Sequence, residues 1–384
     1  MSYPRSESLR TWSDFLPGRR RIQPETCLIG VFEGDGCGPE FIAICLRILE
    51  ALQQRGAGRF EIRQGGLLGS AVEVVHGMAL PPEAEAFCAQ RFADGGALLH
   101  GAGGGRFVYE LRRSFDLYCK ISPLTIYPEC RNAGRIKPSH LEEIDLVIVR
   151  DNSAGVYQGQ WSENQGESGE RLAAHSFSYS ENEVRRIVTV AANIAAARRG
   201  ELTVVLKDGG VPSISDLWRS CARDIATAAG VQMRTINIDH AAYELIQNPR
   251  SFDVIVTPNL FGDILIDVSA LLAGSRGLGF SGNFSATSDV YQTNGGAAHD
   301  LVGKDIANPA GQIFALAMLL QESFSLAKAA SQLKNAVRSV WRAGWRTADL
   351  LEPGCRQVGT REFGKLVVDS LLANNPGTSS HDLE

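Results

Sequence analysis

Short apolar stretches that alternate with helical patterns are the feature that most constrains the fold of this chain. Three of them, each followed by polar or glycine-containing residues, are DLVIVRDN (145–152), ELTVVLKDGG (201–210) and FDVIVTPNLFGD (252–263). A fourth, residues 97–99, precedes a glycine-rich loop. Apolar runs of this length are typical of buried strands, and strands separated by helices indicate an α/β fold with parallel strand pairs.

Two glycine-rich segments follow predicted strands and are candidates for binding phosphate groups. They are GDGCGPE (34–40), in which Pro39 lies near a predicted helix start, and GAGGGR (101–106). Neither matches the dinucleotide-binding fingerprint or the Walker motif. Tight turns between a strand and a helix explain the glycines equally well, so both interpretations stay open.

Three polar regions lie outside the alternating pattern. Residues 1–25 are predicted to form a flexible N-terminal extension, and the tail NNPGTSSHDLE (374–384) is predicted to be disordered. Residues 151–180 are rich in glycine and polar side chains and lack a helical period. They are interpreted as a loop or as an exposed hairpin arm.

Composition excludes several classes of function. The chain has 384 residues, which suggests two domains or one large α/β unit, and a net charge of -5 argues against a surface that coats nucleic acid. No apolar run is long enough to span a membrane, and the N-terminus lacks the apolar core of a signal peptide. Eight scattered cysteines without a CxxC pair indicate reduced thiols. A soluble, cytoplasmic protein is expected.

Two carboxylates in FGDILIDVSALLAG (261–274) are the main candidates for metal ligands. Asp263 and Asp267 are four residues apart and would share one face of a helix beginning near Phe261, among apolar residues. A position near the helix N-terminus would explain Asp263 without a ligand, but not Asp267. Because burying two like charges is unfavourable without a cation between them, a hard divalent ion such as Mg²⁺ is the alternative explanation.

Eight segments, taken in order, resemble the β-decarboxylating dehydrogenases, the isocitrate and 3-isopropylmalate dehydrogenase family. The segments are GDGCGPE, LLHGAGGG, LRRSFDLYCKISPLTIYP, DLVIVRDNSAGVY, FSYSENEVRRIVTVA, VVLKDGG, FDVIVTPNLFGDILIDVSALLAGSRGLGFSGNFS and GGAAHDLVGKDIANPAGQI. The resemblance runs from about residue 28 to 372, and TPNLFGDILID is the most specific segment. The resemblance implies an NAD-dependent oxidoreductase that oxidises and decarboxylates a 2-hydroxy diacid.

The same resemblance implies an α/β fold of the two-domain isopropylmalate dehydrogenase type, which is not a Rossmann fold. The large domain, on the cofactor side, would comprise residues 26–117 and 275–384, and the small domain residues 118–274. An arm near residues 151–180 would clasp a second copy in a homodimer. The active sites of this dimer would be shared between the two copies.

Family likeness also assigns roles to single residues. Asp263 and Asp267 resemble ligands of Mg²⁺ or Mn²⁺, and Asp239 resembles the ligand that the second copy adds. Lys207 resembles a lysine, also from the second copy, that helps to remove the substrate hydroxyl proton; without the family it is an exposed lysine at a strand end. Tyr179 resembles the tyrosine that protonates the enol, although it could equally be a packing residue.

Substrate and cofactor contacts are implied in the same way. Arg112 and Arg150 resemble arginines that bind the substrate carboxylates, with surface ion pairing as the alternative. Val108 and Tyr109, in the loop RFVYELRR, occupy positions that select the substrate side chain. The candidate cofactor contacts are Gly295, Gly296, Asp300 and Asn308. An aspartate at position 300 would repel a 2′-phosphate, which favours NAD over NADP.

Several positions depart from the family pattern. Ser122 stands where a third carboxylate-binding arginine is expected, and Lys120, two residues earlier, would replace part of its charge. Gly209 and Gly295 replace an asparagine and a histidine near the cofactor. These changes suggest a specialised enzyme for an unusual diacid of the substituted malate type. A regulatory subunit without activity, and dehydrogenation without decarboxylation, are the alternatives.

Overall fold

A ten-stranded mixed sheet forms the centre of the protein, in a computed structural model that describes residues 11–19, 24–66, 68–69, 72–74 and 77–373. The strand order is β2-β1-β3-β12-β11-β4-β5-β10-β8-β9. These strands are β1 (Cys27–Phe32), β2 (Phe60–Gln64), β3 (Ala97–His100), β4 (Cys119–Thr125), β5 (Asp145–Asp151), β8 (Glu201–Leu206), β9 (Gln232–Asn237), β10 (Val254–Thr257), β11 (Phe280–Phe284) and β12 (Asp289–Thr293).

Helices and short strands complete the described structure. The helices are α1 (Gly38–Gln54), α2 (Pro82–Ala93), α3 (Arg106–Ser114), α4 (Glu181–Ala196), α5 (Pro212–Ala229), α6 (Ile238–Gln247), α7 (Asn259–Ala273), α8 (Ala310–Glu322), α9 (Ala327–Arg342) and α10 (Thr360–Ala373). β6 (Gln160–Gln165) pairs with β7 (Arg171–Ser176), and β13 (Trp345–Arg346) with β14 (Arg356–Gln357).

The two ends of the sheet are parallel and its middle is antiparallel. β2, β1, β3 and β12 run parallel at one end, and β5, β10, β8 and β9 at the other. β11 and β4 join the two ends through antiparallel pairs. The predicted α/β class, the parallel pairs and the four predicted strands are therefore confirmed.

The two faces of the sheet are covered differently. Because side chains alternate along a strand, Ile121 and Val149 face one side, where α1, α4, α5, α8, α9 and α10 form one continuous core. The opposite side carries two separate clusters. One packs α2 and α3 against Phe32 and Leu98, and the other packs α6 and α7 against Leu146 and Ile148. A gap between α3 and α7 is left on that face.

Chain ends and chain centre contribute to different parts of this sheet. β1, β2, β3 and β12 come from residues 27–100 and 289–293, whereas β4, β5, β8, β9 and β10 come from residues 119–257. This partition agrees with domains of residues 26–117 plus 275–384 and 118–274. One hydrogen-bonded sheet runs through both parts, so the domain boundaries stay a proposal.

The N-terminal segment, residues 11–19, is packed against the core. Phe15 and Leu16 are buried, and the backbone N–H of Ser13 donates to the carboxylate of Glu322 at 2.9 Å. Arg19 forms a buried ion pair with Asp289. The expected flexibility of residues 1–25 is therefore wrong for residues 11–19, because apolar and ionic contacts hold them. Residues 1–10, 20–23 and the tail 374–384 lie outside the described structure.

Residues 160–176 form a hairpin, β6 and β7, in which every residue is exposed. This agrees with the interpretation of residues 151–180 as an exposed hairpin arm. All eight cysteines are free thiols and seven of them are buried, as expected. No helix in the described ranges is long and apolar enough to cross a membrane.

Candidate active site

Three glycine-rich turns meet beyond the carboxyl ends of β1, β3 and β12. The backbone N–H of Asp35 donates to the carbonyl of Ala102 at 2.8 Å, and that of Cys37 to the carbonyl of Ala297 at 2.8 Å. A Cβ atom at Gly36 would lie 2.0 Å from the Ala297 oxygen. Close backbone contact thus explains the glycines of residues 34–38. The edge itself is where α/β folds bind ligands.

An open pocket of about 120 Å³ occupies the gap between α3 and α7. Helix α3 contributes Val108, Tyr109 and Arg112; helix α7 contributes Asp263, Ile266 and Asp267. The remaining lining residues are Gly103, Gly104, Gly105, Lys120, Gln292, Thr293, Asn294 and Gly296. Lys120 and Gln292 reach the pocket because their side chains point to the face of the sheet that carries α3 and α7. Ser122 and Val290, two residues away in the same strands, point to that face as well.

Positive charge is concentrated at this pocket. The side chains of Arg112 and Lys120 are buried, and Lys120 in β4 lies opposite Arg150 in β5. Burial, together with the charge of Arg150, lowers the pKa of Arg112 to about 9. Burial and the charges of Arg150 and Arg112 also lower the pKa of Lys120. These shifts identify a site that is favourable for an anion.

Arg150 is the most firmly held of these cations. It donates from Nε at 3.1 Å and from Nη2 at 2.8 Å to the amide oxygen of Asn259. Its Nη1 donates to Asp263 at 2.5 Å. Gly262 lies against the side chain of Arg150, and a Cβ there would come within 2.7 Å of it. The start of α7 therefore fixes the guanidinium in one orientation.

Asp263 and Asp267 lie one helical turn apart at the pocket. Asp267 accepts a hydrogen bond from Arg276 at 2.8 Å. Their side chains are 45% and 50% exposed, so the expected burial of the two carboxylates is wrong. Leu265 and Ile266 between them are buried, whereas Ile264 is exposed and the two carboxylates face the gap. Burial tends to raise the pKa of Asp263, but Arg150 and Lys120 outweigh burial and lower it.

This carboxylate pair suits a hard divalent cation. Carboxylate oxygens are the preferred ligands of Mg²⁺, which commonly takes one or two carboxylates from the protein and keeps further positions for water and substrate. Within the described part of the chain, no group of three His, Cys, Asp or Glu side chains could hold a metal ion. One chain thus offers two ligands, and Asp239 is not near them.

Lys207 and Asp239 form an ion pair of their own, at 2.7 Å. They follow the carboxyl ends of β8 and β9, and their side chains are 41% and 68% exposed. Neither residue lines the pocket described above. A single copy of the chain therefore does not bring them to the carboxylate pair.

Tyr179 is placed differently from its expected role. Its hydroxyl oxygen accepts a hydrogen bond from the backbone N–H of Asn259 at 3.1 Å, and its ring packs edge-on against Trp218. Burial raises the pKa of this hydroxyl well above its ordinary value. The residue does not line the pocket. These surroundings fit the packing role that was the alternative for Tyr179, and its assignment as a proton donor stays a prediction.

Tyr157 is a site residue that sequence reasoning missed. It lies in the turn before the hairpin, and its hydroxyl donates to Asp263 at 2.9 Å. Its ring lies 5.1 Å from that of Tyr109, and burial and Asp263 raise the pKa of its hydroxyl. The segment VRDNSAGVY contains this tyrosine, seven residues after Arg150. Because this segment is one of those that resemble the family, its tyrosine was a site candidate that the sequence offered.

Ser122 is buried beside a second, small cavity, of about 30 Å³, that shares Ile266, Asp267 and Asn294 with the first. Its hydroxyl lies 3.4 Å from the amide nitrogen of Asn294. Ser122 therefore lines the neighbouring cavity and not the pocket itself.

The candidate cofactor residues lie near the glycine-rich turns. Gly296 lines the pocket, and the backbone N–H of Gly295 donates to the hydroxyl of Thr293 at 3.1 Å. Asp300 is exposed in a 3₁₀ turn. The side chain of Asn308 donates to Asp349 at 3.0 Å and caps Ala310 at the start of α8. Of these four residues, Gly296 is the one that lines the pocket.

Comparisons with known proteins agree with this architecture. The 3-isopropylmalate dehydrogenase of Desulfitobacterium hafniense is 36% identical over 358 residues, covering 89% of this chain and 99% of the relative. That of Carboxydothermus hydrogenoformans is 35% identical over 356 residues, covering 89% and 94%. The crystal structure of isocitrate dehydrogenase from Methylococcus capsulatus superposes with a TM-score of 0.79 at 27% identity, covering 90% and 99%.

The family model for isocitrate/isopropylmalate dehydrogenase matches residues 28–367. This range includes the strands, the glycine-rich turns and both helices that flank the pocket. The chain therefore belongs to the isocitrate/isopropylmalate dehydrogenase family.

Proposed function

We propose that the protein oxidises and decarboxylates a 2-hydroxy diacid of the substituted malate type to a 2-oxo acid. The family consists of NAD-dependent, metal-using dehydrogenases, so the protein is an enzyme and its cofactors are NAD and Mg²⁺ or Mn²⁺. The observation that carries the proposal is Asp263, which lies at 2.5 Å from Arg150 and 2.9 Å from Tyr157 in a pocket that also contains Arg112.

Asp263 and Asp267 would hold the divalent cation, and the glycine-rich turns with Asp300 and Asn308 would hold NAD. When bound, the cation polarises the oxygens of the reacting carbon and NAD accepts the hydride. NAD rather than NADP is supported by the exposed carboxylate of Asp300, which would repel a 2′-phosphate.

Three further groups would act on the substrate directly. Arg112 and Arg150 bind its carboxylates, since a guanidinium matches a carboxylate with two hydrogen bonds. Tyr157 replaces Tyr179 as the proton donor in this mechanism. After the carboxylate leaves as CO₂, the Tyr157 hydroxyl gives its proton to the carbon of the resulting enol. Its contact with Asp263 holds the hydroxyl at the pocket.

A second copy of the chain would complete the site. The exposed Lys207–Asp239 pair has no role in the pocket of its own chain. Large apolar side chains are exposed on α7, α6 and the hairpin: Ile264, Leu271, Tyr243, Trp161 and Leu172. These surfaces support a homodimer in which the partner's Lys207 removes the hydroxyl proton and the partner's Asp239 joins the metal ligands.

The test is NADH formation with Mn²⁺ over malate, tartrate, isocitrate, homoisocitrate and alkyl- and aryl-substituted malates. Asp263→Asn is the inactive comparison, and Asp369→Asn on the exposed side of α10 is the matched control that should keep full activity. We expect turnover with one diacid that Asp263→Asn abolishes. CO₂ release measured in parallel separates decarboxylation from simple dehydrogenation. Equal activity of Asp263→Asn and Asp369→Asn would contradict the proposed metal site.

A further inference from the structure

Two buried cations at the pocket have no anionic or hydrogen-bonding partner in the described structure, although the guanidinium of Arg112 lies 5.5 Å from the ring centre of Tyr109. The side chains of Arg112 and Lys120 are 4% and 5% exposed, and neither forms a hydrogen bond or ion pair with another described residue. The Nε of Arg112 is fully buried without an acceptor. By contrast, the other charged groups here are matched, since Asp263 pairs with Arg150 and Asp267 with Arg276.

An unmatched buried cation is unfavourable because it loses its hydration without gaining a partner. Both Arg112 and Lys120 line the same pocket, so a ligand that enters it meets two free cationic groups. A carboxylate would satisfy them with charge-assisted hydrogen bonds. The buried Nε of Arg112, which has no acceptor, thus indicates that a ligand places an anionic group beside it.

The position of Lys120 follows from the strand that carries it. Lys120 and Ser122 are two residues apart in β4 and share a face of the sheet. Ser122 lines the neighbouring cavity and has no charge, whereas Lys120 reaches the pocket between α3 and α7. The ammonium group of Lys120, on its flexible side chain, is therefore the group from β4 that can bind a substrate carboxylate in this pocket.

The rest of the wall is polar as well. Gln292, Thr293 and Asn294 lie beside the two cations, and the amide of Gln292 makes no hydrogen bond with another described residue. Val108 and Ile266 are the aliphatic side chains longer than alanine among the described lining residues. A branched alkyl substituent would place apolar surface against these polar groups, whereas a hydroxyl would pair with the amide of Gln292.

We propose that Lys120, together with Arg112, binds the substrate carboxylate that lies away from Asp263 and Asp267, and that it selects a small, polar 2-hydroxy diacid. This inference rests on the proposed function, since it assumes a diacid in the same pocket. Malate and tartrate represent the class. 3-Isopropylmalate, which the named relatives use, represents the branched alternative.

Two measurements on Lys120→Met, which keeps the length of the side chain without its charge, would test it. Steady-state kinetics with Mn²⁺ and NAD gives KM and kcat, and calorimetry with Mn²⁺ but without NAD, so that no turnover occurs, gives Kd. Loss of a hydrogen bond to a charged group costs about 1.5–3 kcal/mol, so KM and Kd for the diacid should rise about 10- to 100-fold with a smaller change in kcat. Lys120→Arg should recover part of the loss. Lys365→Met on the exposed face of α10 is the control and should match the unaltered enzyme.

Three results would overturn the inference. If Lys120→Met left KM and Kd for the diacid within twofold, Lys120 would not bind substrate, while the proposed function would stand. If the unaltered enzyme bound 3-isopropylmalate more tightly than malate and tartrate, the selectivity would be wrong. If it neither bound nor turned over any 2-hydroxy diacid, the proposed function and this inference would fail together.

Discussion

At the scale of single residues, Tyr157 connects the hairpin turn to the carboxylate pair through one hydroxyl group. Its hydroxyl donates to Asp263, whereas the hydroxyl of Tyr179 accepts from the backbone of Asn259. Two tyrosines in neighbouring segments therefore have different surroundings. The Tyr157 hydroxyl lies at a carboxylate that lines the pocket, whereas the Tyr179 hydroxyl lies at the backbone N–H of Asn259.

Removing the hydroxyl of Tyr157 or of Tyr179 distinguishes a role in catalysis from a role in packing. Tyr157→Phe keeps the ring packing on Tyr109 but removes the proton donor, so kcat should fall about 100-fold or more. Tyr179→Phe removes one acceptor for a backbone N–H and should cost about 1 kcal/mol of stability with little change in kcat. Steady-state rates and urea unfolding of both variants provide the measurement. A larger loss of kcat in Tyr179→Phe would reverse the assignment.

His100 makes the stability of the protein depend on pH. Burial lowers the pKa of His100 from 6.5 to about 4, with Arg112 adding to the effect and the Gly101 carbonyl opposing it. Between these two values the unfolded chain binds more protons than the folded one. The contribution of His100 to stability should therefore fall by about 3 kcal/mol as the pH drops through this window, and stay constant above it.

The variant His100→Asn should flatten this dependence, whatever its stability at neutral pH. Urea unfolding between about pH 7 and pH 4 measures the slope, and all other groups cancel in the comparison with the unaltered protein. His299→Asn, at an exposed histidine, is the matched control and should keep the original slope. An unchanged slope in His100→Asn would show that His100 is protonated alike in both states.

At the scale of elements, the N-terminal segment is held to β12 and α8 by charged groups. Arg19 pairs with Asp289 at the start of β12, and Ser13 donates to Glu322 at the end of α8. Asp289 also accepts from Ser323 at 2.6 Å. The residues that meet are about 270 and 309 positions apart, so no local pattern could reveal them.

A double-mutant cycle measures this attachment. Arg19→Met leaves Asp289 buried without its cation, and Asp289→Asn leaves Arg19 without its anion, so each should cost about 3–5 kcal/mol of unfolding free energy. The double variant leaves neither charge and should cost clearly less than the sum. Urea unfolding provides the free energies. Additive losses would mean that the two side chains do not interact.

At the scale of the whole molecule, the separation of Lys207 and Asp239 from the pocket predicts that two copies share each site. Lys207→Met and Asp263→Asn should each be inactive. Mixed and allowed to exchange subunits, they should recover about a quarter of the full activity, because half of the dimers are mixed and one of their two sites is intact. Activity after mixing is the measurement. Lack of recovery despite proven exchange would place all the groups in one chain.

Sequence alone determined the α/β class, the parallel strands and the position of Asp263 and Asp267 one turn apart on the same helix. These features depend on residues that are close in sequence, because a short apolar run predicts a buried strand and a period of 3.6 residues predicts a helix. The hairpin at residues 160–176 was also within reach, since its polar composition excluded a buried element. The segment 11–19 was not, because its partners lie far along the chain.

The tertiary structure decided which side chains share the pocket. Lys120 in β4 and Gln292 in β12 line the pocket, and Tyr157 in the hairpin turn reaches its edge by donating to Asp263. Sheet order and helix packing bring these three distant segments together. The same order turned Asp263 toward Arg150 and left Tyr179 on the backbone of Asn259. Sequence specifies what each element presents on its face, whereas packing determines which faces meet, because that choice depends on contacts between residues far apart in the chain.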